Sequence, residues 1–135
     1  MPDPLFIARV PVRWGDQDAL GHVNNAAYLT YVEQARIEWL RSLADEAGDW
    51  PGAPTSGPIL AAADLQFKRP IVYPATVVVR MTGRPPGRTS AGIDVELTVE
   101  GEDTVYATAA TTLVWVDYAT GRPTPLPDGV RERLS

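Results

Sequence analysis

Cysteine is absent from this 135-residue chain. Its absence excludes disulfides, thiolate metal centres and a cysteine nucleophile, and it fits a reducing compartment. Histidine occurs once, at His22. One imidazole and scattered carboxylates do not form a zinc-like ligand set, so neither a metal nor a cofactor is expected. No window approaches the ~20 apolar residues that a spanning helix needs. The opening residues Met1–Phe6 lack a basic region followed by an apolar run, so no signal peptide is expected. A cytoplasmic protein is the resulting expectation. Positive charge is also short: the formal net charge is −5, which gives no ground for nucleic-acid or anionic-membrane partners. There is no G-x-S-x-G for serine-hydrolase chemistry and no glycine-rich phosphate loop.

What the chain has is one dense polar stretch followed by one long apolar helix. Phe6, Ala8, Val10, Val12 and Trp14 alternate with Ile7, Arg9, Pro11 and Arg13, the period-two pattern of a strand; Gly15 ends it. Asp16, Asp18, Gly21, His22, Asn24 and Asn25 then crowd into ten residues. From Asn25 the period changes. Tyr28, Tyr31, Val32, Ala35, Trp39 and Leu43 recur at three- and four-residue steps, with Leu29, Ile37 and Leu40 beside them, which predicts a deeply buried helix. Asn24 or Asn25 suits the N-cap, and Gly48 and Pro51 are its stop.

Asp49–Pro58 reads as a Pro/Gly/Ser-rich connection or lid. Strands are predicted over Ile59–Lys68, Thr76–Thr82, Ser90–Val99 and Thr104–Asp117. The small residues of Ala107–Thr112 suit a strand crossed closely by the helix. The tail from Ala119 to Ser135 is expected to be loosely held. One domain over residues 1–135 accommodates all of this. Sequential hairpins imply an antiparallel sheet with one helix on one face, an α+β arrangement. Its uncovered face and edges call for homo-oligomerisation.

The run Arg13–Leu29, with its D-x-D-x-x-x-H-V-N-N core, followed by Tyr31-Val32-Glu33-Gln34-Ala35-Arg36, resembles the signature of hotdog-fold acyl-CoA thioesterases. It is similar to the 4-hydroxybenzoyl-CoA and long-chain acyl-CoA thioesterase group. The resemblance implies a sheet wrapped around one long helix, subunits joined edge to edge into dimers that often pair into tetramers, and active sites at subunit interfaces. It implies an acyl-CoA substrate, with Asp18 as the catalytic carboxylate and the backbone N–H near Asn25 polarising the thioester carbonyl. Plant acyl-carrier-protein thioesterases share the loop but carry Asn where Leu20 stands, which argues against their Asp-Asn-His arrangement here. His22, Tyr28, Lys68 and Arg69 are the candidate substrate-binding residues. Arg84 and Arg88 are further cations suited to coenzyme A phosphates.

Other roles are read as structural. Asp16 is expected to stabilise the loop or pair with Arg13, and Glu33 to pair with Arg36. Two alternatives to hydrolysis stay open. An enoyl-thioester hydratase or dehydratase on the same fold would need Asp18 and His22 as its acid–base pair. A non-catalytic acyl-thioester binding protein would keep the fold without turnover.

Overall fold

The computed structural model describes residues 3–47 and 55–135. The alternating segment forms β1 (Phe6–Pro11), and it ends earlier than its pattern suggests. Pairing with the third strand stops at Pro11↔Thr76. Val12 still donates to the Ala75 carbonyl at 2.9 Å, but the Arg13 N–H turns to the Asp16 carboxylate instead. Trp14–Asp16 therefore curls into a short 3-10 turn, and Trp14 is left exposed rather than continuing the buried face.

The helix α1 (Asn25–Ala47) begins where the period changes. Asn24 caps it: its side-chain oxygen accepts the Ala26 N–H at 2.9 Å and its carbonyl accepts the Ala27 N–H at 2.9 Å. This satisfies donors that the helix itself leaves free. Tyr28, Tyr31, Val32, Ala35, Trp39, Leu40 and Leu43 are buried as a stripe, whereas Ile37 beside them is exposed. The proposed stop at Gly48 and Pro51 lies outside the described residues, as does most of the Asp49–Pro58 connection. Ser56–Pro58 already belong to β2 (Ser56–Phe67).

The remaining strands are β3 (Thr76–Gly83), β4 (Ser90–Val99) and β5 (Val105–Asp117). All pairings are antiparallel, in the order β1-β3-β4-β5-β2. Only β3-β4-β5 are sequential hairpins. β2 does not pair with β3 as a run of hairpins would require; it pairs with β5, and β1 takes the free edge of β3. The physical reason is the helix: 23 residues rise about 35 Å, enough to carry the chain from one edge of the sheet to the other. Val77, Val79, Met81, Ile93, Leu97, Leu113 and Trp115 form the sheet's side of the core. The helix backbone runs nearest β1 and β3, not the small residues of β5 as the composition suggested.

The tail carries more order than its prolines and glycines imply. Thr124 and Leu126 donate to the Trp115 and Arg88 carbonyls, at 2.8 and 3.0 Å. A second helix, α2 (Asp128–Leu134), buries Val130 and Leu134 in the core. Leu134 occupies the space over Gly83, its Cδ2 2.6 Å from where a Cβ would stand. No described helix is long and apolar enough to cross a membrane.

Candidate active site

The site begins with the turn that ends β1. Asp16 is buried, and its carboxylate accepts the Arg13 N–H at 2.9 Å, the Arg13 guanidinium at 3.1 and 3.2 Å, and the Tyr31 hydroxyl at 2.8 Å. Burial alone would raise its carboxyl, but these hydrogen bonds and the guanidinium charge outweigh it and hold the group below its ordinary value of 3.8. The same burial and the carboxylate push the Tyr31 phenol far upward. The Asp16 carbonyl accepts the Asn24 N–H at 2.8 Å. One residue thus joins the end of β1, the polar loop and the second turn of α1, as the structural reading of Asp16 anticipated.

Inside that frame the loop closes on itself. Gln17 bridges Val23, Asp18 donates to the His22 carbonyl at 2.8 Å, and Gly21 donates back to the Asp18 carbonyl at 3.1 Å. Gly21 has φ +82°, a left-handed conformation for which glycine is suited. Asp18 is exposed, and only one of its carboxylate oxygens is engaged: Oδ1 accepts the Leu20 N–H at 2.9 Å and the His22 N–H at 3.5 Å. Oδ2 has no partner among the described residues. The carboxylate is therefore held by one oxygen and left unengaged at the other. His22 meets Asp18 through its backbone, not its imidazole, so the two side chains do not form an acid–base dyad.

The third part is the helix start. The cap uses the Ala26 and Ala27 N–H groups, but the Asn25 N–H has no protein acceptor among the described residues. It sits at the positive end of α1, where a developing oxyanion is favoured.

Asp18, His22, Asn25, Tyr28, Lys68 and Arg69 all line one cleft of about 350 Å³. The structure thus brings together these six of the residues named from sequence, but not Arg84 and Arg88. Leu20, Val23, Phe67 and Pro70 complete its walls, and none of them was assigned a site role from sequence. Phe67 stands edge-on to Tyr28 with ring centroids 5.0 Å apart; its place just before Lys68 was the one available signal. Arg84 and Arg88 are elsewhere: Arg84 pairs with Asp94 and donates to the Thr111 carbonyl, and the Arg88 carbonyl accepts from Arg131. Glu33 lies outside the cleft, 3.6 Å from Arg36.

The family model for the thioesterase-like superfamily matches residues 12–134. The chain belongs to that superfamily. The long-chain acyl-CoA thioesterase FadM of Escherichia coli is 27% identical over 126 residues, covering 93% of this chain and 94% of FadM. Among solved structures, the PA2801 protein of Pseudomonas aeruginosa is 34% identical with a TM-score of 0.90, covering 98% of this chain and all of that one. A Thermus thermophilus thioesterase solved with coenzyme A and zinc is 34% identical with a TM-score of 0.79, covering 99% of this chain and 94% of its own. The sheet around one long helix is the hotdog fold of this superfamily. The donor set here does not fit a protein-held zinc: no group of three or more metal-ligating side chains gathers among the described residues.

Proposed function

We propose that this thioesterase-family enzyme hydrolyses an acyl-CoA thioester to free acid and coenzyme A in the cleft between the Asp18 turn and the start of α1. The observation that carries the reading is the pairing of a half-engaged carboxylate with an unpartnered backbone N–H in one cleft. Asp18 Oδ2 acts in one of two ways. As general base, it takes a proton from water as the water oxygen attacks the thioester carbon. As nucleophile, it attacks that carbon itself, expels the thiolate and forms a mixed anhydride that water then opens. In both, negative charge collects on the carbonyl oxygen, and the Asn25 N–H is the donor aimed at it. Collapse breaks the C–S bond, and the thiolate leaves and takes up a proton.

The remaining cleft residues divide by chemistry. Leu20, Val23 and Phe67 are the apolar wall for the acyl group or the pantetheine arm, and Lys68 and Arg69 are cations within reach of the coenzyme A phosphates. The absence of a side-chain Asp18–His22 bond weighs against a hydratase. The cleft is completed by a second copy of the chain. Among the described residues β2 pairs only with β5 and presents Ile59, Leu60 and Phe67 exposed along the free edge, the kind of edge that pairing covers.

The test is release of free thiol over a panel running from acetyl-CoA to palmitoyl-CoA, with benzoyl, phenylacetyl and 4-hydroxybenzoyl thioesters, beside Asp18→Asn. Turnover that disappears in the variant is the expected result. Absence of thiol release across the panel from folded protein, or hydration of crotonyl-CoA in its place, overturns the proposal. A single turnover in ¹⁸O-water then adds a one-way test of the two roles of Asp18: label in its carboxylate arises only from an anhydride that water opens at the Asp18 carbonyl carbon.

A further inference from the structure

Lys68–Ile71, the segment carrying both cations of the cleft, has no regular secondary structure, yet it is tied down on three sides. The Lys68 and Arg69 N–H groups both donate to the Tyr106 carbonyl, at 2.9 and 3.1 Å. The Ile71 carbonyl accepts the Val23 N–H at 2.8 Å. Between these anchors stands the Tyr28 hydroxyl. It accepts the Ile71 N–H at 3.2 Å and donates to the Arg69 carbonyl at 3.3 Å. Pro70 has no N–H to offer, so Tyr28 engages the backbone groups on either side of it. The ring is buried and braced edge-on by Phe67. Its hydroxyl is consumed by backbone and is not offered to a ligand. Tyr28 also lies three residues past Asn25, within the first turn of α1.

We infer that Tyr28 is a positioning residue that fixes the Lys68–Arg69 cations at a set distance from the helix start, so that one coenzyme A molecule reaches both. The inference rests on the acyl-CoA reading above. It makes Tyr28 act on the phosphate-bearing part of the substrate and not on the reacting carbonyl. A group that merely stabilised the fold would affect every thioester alike. Tyr28 should affect only those with phosphates to place.

The experiment compares Tyr28→Phe with the wild type on two thioesters of one acyl group, the acyl-CoA and the N-acetylcysteamine thioester, which carries no phosphate. The variant keeps the ring against Phe67 and removes only the hydroxyl. KM for the acyl-CoA should rise by about five- to tenfold, the size expected for loosening one or two hydrogen bonds. The kcat for both substrates and KM for the N-acetylcysteamine thioester should stay within about twofold. Adding Lys68→Gln and Arg69→Gln to Tyr28→Phe should then raise KM less than the same pair does in the wild type, because positioned and unpositioned cations are coupled. If Tyr28→Phe does not fold, Pro70→Gly, at an exposed site in the cleft wall, loosens the same segment and should raise KM for the acyl-CoA more than for the N-acetylcysteamine thioester. Equal losses on both thioesters, or no change on either, overturn the inference and leave the hydrolase reading standing. Failure of the wild type to hydrolyse any acyl-CoA overturns both.

Discussion

Asp16 and Asp18 are two residues apart in one loop, and the structure makes them opposites. Asp16 is buried, takes three hydrogen bonds from Arg13 and one from Tyr31, and is held below its ordinary pKa. Asp18 is exposed, with one oxygen tied to the Leu20 and His22 N–H groups and the other unengaged. A carboxylate whose every lone pair is spoken for holds a loop together. One with a spare oxygen facing a cleft is available for chemistry. The contrast teaches that a shared motif distributes two tasks by burial, not by residue type.

The contrast can be broken most severely at Asp18. Asp18→Asn should lower kcat by about 10²–10⁴-fold while leaving the thermal midpoint nearly unchanged; loss of both together would merge the two roles. Asp16→Ala should do the reverse. Leaving the Arg13 N–H and Tyr31 hydroxyl without their acceptor should cost about 2–3 kcal/mol of stability, read as a lower urea midpoint.

The same site has a pH signature. Because the folded Asp16 carboxyl lies below its unfolded value, its contribution is present above the unfolded value. It is lost as pH falls through the folded one. Urea midpoints of the wild type should therefore decline below about pH 4, and that part of the decline should be missing in Asp16→Asn. Tyr31→Phe, which removes one of the four bonds, should cost about 1 kcal/mol in the same titration. Smallest of all is Arg13→Gln: the Arg13 side chain is 80% exposed, so solvent screens its charge, and the change should fall within about 0.5 kcal/mol.

Much of this was legible in the chain because it depends on near neighbours. The change of period at Asn25, the Asn24 cap and the wide stripe from Tyr28 to Leu43 are properties of consecutive residues, and α1 follows them. The three strands from Thr76 onward match their patterns for the same reason. Errors fall where one local bond overrides a pattern or where distant residues decide. Alternation carries β1 through Trp14, but the Arg13 N–H bonds to Asp16 and curls the chain out of the strand. Hairpin logic pairs β2 with β3, but the long helix stands between β1 and β2 in the chain, and β2 joins β5 instead. The tail looks loose by composition, yet Val130 and Leu134 find a gap over Gly83 that no local pattern reveals.

By itself, the sequence determined the kinds of parts: one buried helix, an antiparallel sheet, and a polar loop with two carboxylates at the helix start. Backbone propensity, side-chain period and capping chemistry act over a few residues, so they survive reading in one dimension. The tertiary structure alone decided which strand neighbours which, and that Lys68 and Arg69 face the loop through the Tyr28 hydroxyl. Burial also separated what residue type could not distinguish, the sealed carboxylate of Asp16 from the exposed one of Asp18. Burial and long-range hydrogen bonds come from the whole packed chain, and a stretch of sequence carries neither.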